Sequence, residues 1–236
     1  MGHATTDLGV WGDMTQVVAF DVNETLLDLR ALDEPFETAF GTSALRPQWF
    51  ALMLQLSFVG GLTGAYVDFS TAQHAALRML AQREHIALSD ATREAIVQAM
   101  TTLPPYPDVA DGLRRLRGTS LTLVALTNSV ASVAEAQLIN AGIRDVFDAV
   151  FSADSVRRLK PAPEPYLAVA RAFGVAIEDV RLVGAHHWDV AGALQAGCAA
   201  AFVTRPGMVM SPLGPQPDIV GADIVEVADR IIATDL

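Results

Sequence analysis

The chain has 236 residues, 51% apolar and 18% charged, which fits a sizeable folded core plus a smaller accessory unit and excludes a disordered chain. A formal net charge of −11 disfavours nucleic acid and anionic membranes as partners, so an anionic substrate needs a local basic or amide-lined pocket. One cysteine, Cys198, excludes an internal disulfide, and no apolar run reaches the ~18 residues of a membrane span.

The leader from Met1 to Gln16 lacks a basic n-region and a long apolar h-region. It is expected to be a frayed extension rather than a signal peptide, and the protein is expected to be cytoplasmic. Val17-Val18-Ala19-Phe20 then read as a strand buried on both faces. That run stops at Asp21, at the carboxyl edge where open α/β sheets bind ligands. An acid there is either a nucleophile or ligand, or a turn residue and helix cap.

Residues 29 to 104 hold no β-branched strand run, and their apolar residues recur at helical spacing. Trp49, Phe50, Met53, Leu54 and Leu56 predict a helix opening near Pro47 and broken by Gly60-Gly61-Leu62-Thr63-Gly64. Further helices are predicted from about Ser70 to Glu84 and from Ser89 to Met100, with Ser89 as a cap. Pro104-Pro105-Tyr106-Pro107 is a stiff connector out of this segment.

A helix from Asp108 to Arg117 and a buried strand from Leu121 to Leu126 follow, the strand ending in Thr127-Asn128-Ser129. A helix over 132–141 stops at Gly142, a strand spans Ala149 to Ser152, and Lys160-Pro161 lies beyond it. Glu164 to Phe173 is helical, and Val180 to Gly184 is a strand leading into Ala185-His186-His187-Trp188-Asp189. A helix from Ala191 to Ala196, a strand from Ala200 to Thr204, a loop over 206–217, a short strand at Ile219 and a helix over 226–233 complete the chain. Cys198 lies in an Ala-rich apolar stretch, where a small buried residue is the ordinary reading and a redox role is not. Strands alternating with helices predict an α/β parallel sheet with helices on both faces. The helical insert after the first strand would be a cap over 29–104, and the core would comprise 15–28 and 105–236.

Asp21, Thr127-Asn128, Lys160 and Asp189 each lie at or just beyond a predicted strand end. Singly, each has a bland reading as cap, turn or surface charge; together they converge on one edge. Asp21-x-Asn23-x-Thr25, Thr127-Asn128, Lys160-Pro161 and Gly184 to Asp189, with Tyr66-Val67-Asp68-Phe69 and Trp188, resemble the haloacid dehalogenase (HAD) superfamily of hydrolases. More narrowly they resemble its L-2-haloacid dehalogenase (type II) branch. The resemblance implies a Rossmann-type core with Asp21 as nucleophile, forming an ester with substrate. It implies Lys160 as the group that keeps Asp21 ionised, and Asp189 as the group orienting Lys160 or the hydrolytic water. Thr25 would brace the loop, Thr127 would hold a substrate oxyanion, and Asn128 would offer its amide to a carboxylate or departing halide.

Relatives that hydrolyse phosphate esters carry a second Asp two residues after the nucleophile, where this chain has Asn23, which cannot act as a general acid. They carry a metal-holding Asp where this chain has Ala185. Magnesium wants several hard oxygen ligands, so no metal or other cofactor is expected, and chemistry is expected at carbon rather than phosphorus. Halide needs no proton to leave. The expectation is therefore hydrolysis of small 2-haloalkanoic acids to 2-hydroxyacids. Another electrophile such as a phosphate ester, or a catalytically retired acid-binding protein, are the alternatives.

The chain also departs from the type II pattern. That pattern has Tyr in place of Asn23, Ser in place of Gly184 and Asn in place of His186. A halide-binding Arg of the branch aligns with Phe50, and Arg46, one turn away, is a candidate substitute. Phe69 matches an apolar pocket residue. His186 and His187 could supply polar contacts or proton transfer, or one of them packs beneath the cap. The apolar cap helices would support a homodimer, as in similar enzymes.

Overall fold

The computed structural model describes residues 15–236, so the expected leader lies, through residue 14, outside the described residues. Six strands form one parallel sheet in the order β3-β2-β1-β4-β5-β6. They are β1 (Val17–Phe20), β2 (Thr122–Thr127), β3 (Ala149–Ser152), β4 (Val180–Gly184), β5 (Ala199–Val203) and β6 (Ile219–Gly221). Parallel strands need covering on both faces, and alternation along β1 shows how this chain achieves it. Val18 and Phe20 face a core shared with Leu113, Leu138 and Ile231, while Val17 and Ala19 face Tyr166, Val169 and Ala193. The first face is covered by α5 (Val109–Arg117), α6 (Ala131–Asn140) and α9 (Ile224–Asp235); the second by α7 (Pro163–Phe173) and α8 (His187–Ala196).

Between β1 and α5 the chain is helical: α1 (Asp33–Phe40), α2 (Leu45–Thr63), α3 (Phe69–Arg83) and α4 (Asp90–Ala99). Their apolar residues, among them Phe36, Trp49, Leu77 and Ile96, join the core on the Val18 and Phe20 face. Ser89 caps α4 by accepting the Thr92 N–H at 3.0 Å, as expected, and Asp68 caps α3 the same way at Thr71. The helix α1 has no separate counterpart in the sequence reading, because its acids Asp33, Glu34 and Glu37 mask Phe36 and Phe40. The helix α2 runs through Gly60 and Gly61 to Thr63 and stops at the end of the expected run, at Gly64, whose φ of 74° is the left-handed conformation that ends a helix. Among the described residues no helix is long and apolar enough to cross a membrane.

The order 3-2-1-4-5-6 places a topological switch between β1 and β4, and ligands bind such sheets in the crevice beyond the strand ends. Phe20 pairs with Ala125 and Val183, so the loops after β1, β2 and β4 leave the sheet at one level. The loop at Lys160 reaches the same place because α8 packs hard against it. A β-carbon on Gly192 would lie 2.5 Å from Pro161 Cβ, so only glycine fits there.

Candidate active site

At the end of β1 the Asp21 N–H donates to Val183 O at 3.0 Å, which fixes the backbone and aims the side chain into the crevice. Lys160, fully buried, donates all three ammonium protons: to Asp21 Oδ1 at 2.9 Å, Asp189 Oδ2 at 2.6 Å and Leu126 O at 2.8 Å. A buried ammonium is tolerated only with such complete pairing. Asp189 sits in the first turn of α8, where the helix dipole favours an anion, and its Oδ1 accepts the Tyr166 hydroxyl at 2.5 Å. Burial pushes the Asp21 carboxyl up, but Lys160, then His186 and Thr25, more than offset this and hold it well below the usual range. Burial pushes Asp189 upward, with Lys160 opposing; burial lowers Lys160, with Asp189 and Asp21 outweighing it.

Thr25 donates to Asp21 Oδ2 at 2.6 Å and accepts the Ala185 N–H at 2.9 Å, tying the two loops together. Thr127 Oγ1 accepts the Ser129 N–H at 3.1 Å, which leaves its own hydroxyl proton to be donated. Asp21, Thr25, Lys160 and Asp189 thus form one hydrogen-bonded cluster.

Several residues expected to contact substrate are also hydrogen-bonded within the chain. The Asn128 amide donates one proton to Lys160 O at 3.1 Å and accepts the Lys160 N–H at 2.8 Å, clamping that backbone and leaving its second N–H over. The Asn23 side chain is held between Ser129 Oγ at 3.2 Å and Gln137 Nε2 at 2.9 Å. The Arg46 Nε donates to Asp33 at 2.6 Å, and its Nη1 lies 3.8 Å from Glu24. Phe69 is buried in the main apolar core at the start of α3. Phe50 lies flat against His186, with ring centroids 5.9 Å apart, and Trp188 covers the other partner position at 5.0 Å. The two nitrogens of His186 meet Asp21 Oδ2 at 3.2 Å and Glu24 Oε2 at 3.0 Å, so the ring contacts both carboxylates.

Burial lowers the basicity of His186, but the two carboxylates outweigh it and raise its pKa to about 9. A folded value above the unfolded one contributes stability below about pH 6.5 that is lost as pH climbs through 9. Denaturant unfolding between pH 6 and 10 should therefore show a decline on the order of 3 kcal/mol that His186→Asn flattens. A decline of equal size in the variant contradicts it.

Sequence reasoning missed Glu24, Tyr166 and a brace behind the loop, in which Arg205 donates to Thr25 O at 2.9 Å and to Asp108 at 2.7 Å. The Arg205 guanidinium also lies 4.0 Å over the Tyr106 ring. Tyr166 carried a signal, six residues after Lys160 on a helix face turned to the sheet. Burial pushes the Cys198 thiol up to about 12, in keeping with an inert core residue.

The site thus sets a carboxylate at the switch point of a doubly wound sheet against a buried ammonium. Residues 15–197 match the family model for haloacid dehalogenase-like hydrolases, and the chain belongs to that family. Within it, the chain is 29% identical over 208 residues to the (S)-2-haloacid dehalogenase of Pseudomonas sp. (strain YL), covering 87% of this chain and 90% of that protein. It is 32% identical to the (S)-2-haloacid dehalogenase of Xanthobacter autotrophicus, over 81% of this chain and 76% of that one. The crystal structure of L-2-haloacid dehalogenase from Xanthobacter autotrophicus with chloropropionic acid covalently bound superposes with a TM-score of 0.88 at 27% identity, covering 94% of this chain and 100% of that chain.

Proposed function

We propose that this protein hydrolyses (S)-2-haloalkanoates to (R)-2-hydroxyacids through an ester on Asp21, without a metal ion. An ionised Asp21 oxygen attacks C2 opposite the halogen, the carbon–halogen bond breaks with its electron pair, and configuration inverts. Water then attacks the ester at the Asp21 carbonyl carbon, which leaves C2 untouched and restores the carboxylate. The halide departs as an anion and needs no general acid, consistent with Asn23 standing where an acid would be required for a phosphate ester.

The observation that carries this reading is the position of Lys160. Its ammonium stands between Asp21 and Asp189 and bonds both, where a bridging cation would otherwise be needed to keep two buried carboxylates charged. Among the described residues no cluster of three His, Cys, Asp or Glu side chains has metal-holding geometry. A cavity of about 440 Å³ lies between the end of α2 and the loop before α7. Phe58, Leu62 and Pro161 give it apolar walls, and Arg157 and Arg158 give it the local positive rim that a −11 chain needs to draw in a carboxylate.

The test is chloride release from L-2-chloropropionate with and without EDTA. The expected result is turnover unchanged by chelator and no turnover of the D-isomer. Magnesium-dependent cleavage of a phosphate ester with no chloride released contradicts the proposal, and binding without turnover marks a retired acid-binding protein.

A further inference from the structure

Glu24 has a φ of 61°, in the left-handed region that a β-carbon makes costly by roughly 1–2 kcal/mol. A residue other than glycine held there calls for a compensating interaction, and its carboxylate supplies one. Glu24 Oε2 lies 3.0 Å from His186 Nε2, and its Oε1 lies 3.8 Å from Arg46 Nη1. On the other edge of the ring, His186 Nδ1 lies 3.2 Å from Asp21 Oδ2. Phe50 and Trp188 stack on the imidazole with interplanar angles of 21° and 24°, which holds the ring with its nitrogens at the two carboxylates. A histidine so held presents only its two nitrogens. One faces the nucleophile and the other faces a strained glutamate with no part in the covalent step.

The charges around the ring are Asp21 and Glu24 in contact, Lys160 on the far oxygen of Asp21, Asp189 beyond Lys160, and Arg46 beyond Glu24. In the free protein the two touching carboxylates hold the ring as an imidazolium. Esterification of Asp21 removes one of those two anions, while Lys160 and Arg46 keep their positive charges. The proton on Nδ1 then faces a neutral ester instead of a carboxylate and is free to leave, whereas the proton on Nε2 stays bonded to Glu24. What remains is a neutral imidazole whose lone pair is directed at the ester.

Resting on the reading of Asp21 as nucleophile, we propose that the Glu24–His186 pair is the proton relay of the second half-reaction, with His186 Nδ1 taking a proton from the water that attacks the ester. The water oxygen bonds to the Asp21 carbonyl carbon and the ester bond to the substrate oxygen breaks. One water proton ends on the departing hydroxyacid oxygen, and the other ends on His186. The re-formed Asp21 carboxylate again holds the imidazolium, so each cycle releases one halide and one proton. Glu24 fixes the tautomer and stabilises the charge that reappears on the ring.

The experiment is rapid-quench chloride release with intact-protein mass measurement, using L-2-chloropropionate and the wild-type, Glu24→Gly, Glu24→Gln and His186→Asn proteins. Glycine suits the left-handed backbone at position 24, so Glu24→Gly removes the carboxylate while relieving strain and keeps the fold. The expected result is a first equivalent of chloride released within a few-fold of the wild-type rate. Later turnovers should slow on the order of 10²-fold, the scale of a lost general base, while an Asp21 ester accumulates. Loss of the first turnover and the steady state together, with no ester, overturns the relay; so do variants that turn over like the wild type. No chloride from the wild-type protein overturns the nucleophile reading and the relay together, whereas wild-type turnover with unaffected variants overturns the relay alone.

Discussion

Lys160→Met is expected to abolish halide release, by about 10³-fold or more, and to destabilise the protein by about 3–5 kcal/mol. Both effects have one cause. Among the described residues the Lys160 ammonium alone bonds Asp21 and Asp189 at once, at 2.9 and 2.6 Å, and both acids are at most 4% exposed. Without it, two carboxylates share a dry site, and desolvation together with mutual repulsion drives one of them to take up a proton. A neutral Asp21 is no nucleophile. Methionine fills most of the volume, so the loss reports charge rather than a cavity. Lys160→Arg should not rescue it, because a planar fork cannot point donors at Asp21, Asp189 and Leu126 O from the same buried space. Chloride release and denaturant unfolding at neutral pH check both parts, and a methionine variant within tenfold of the wild-type rate contradicts them.

The second large effect is confined to chemistry. Asp21→Asn should reduce turnover by about 10⁴-fold or more, the scale on which loss of a nucleophile alone falls. The fold should survive. Asparagine keeps the shape, its carbonyl oxygen can still accept from Lys160 or Thr25, and Lys160 keeps Asp189 and Leu126 O as partners. Circular dichroism and a melting curve check the fold, and a chloride assay checks the activity. Residual activity within tenfold of the wild type contradicts a nucleophilic role.

Much of this arrangement was legible in the sequence because the sheet is buried on both faces. Runs such as Val17 to Phe20 and Leu123 to Leu126 hold no polar residue, so each one ends where its first polar residue stands, and those residues meet at one edge. Asp21, Thr127 and Asn128 stand out for that reason, Lys160 and Asp189 lie farther beyond their strand ends, and Thr25 stood out only through the resemblance to the haloacid dehalogenase superfamily. What could not be read was the direction in which a short polar side chain turns. Asn128 and Asn23 stand at the right strand ends, yet both amides bond neighbouring chain, the first to Lys160 and the second to Gln137. Arg46 and Glu24 are charged residues whose partners, Asp33 and His186, come from elements that only tertiary packing brings near. Glu24 was hidden further by its backbone, since no periodicity announces a left-handed residue. The helix α1 was lost because eight residues rich in acids show too short an apolar stripe.

Heavy-oxygen labelling tests the central claim most directly. The wild-type protein, in excess over L-2-chloropropionate, is taken through a single turnover in ¹⁸O-enriched water, and the hydroxyacid and the peptide containing Asp21 are weighed. Attack by Asp21 followed by hydrolysis at its carbonyl carbon predicts label in the Asp21 carboxylate and none in the first-turnover product. Label in the hydroxyacid, with none in that peptide, contradicts it.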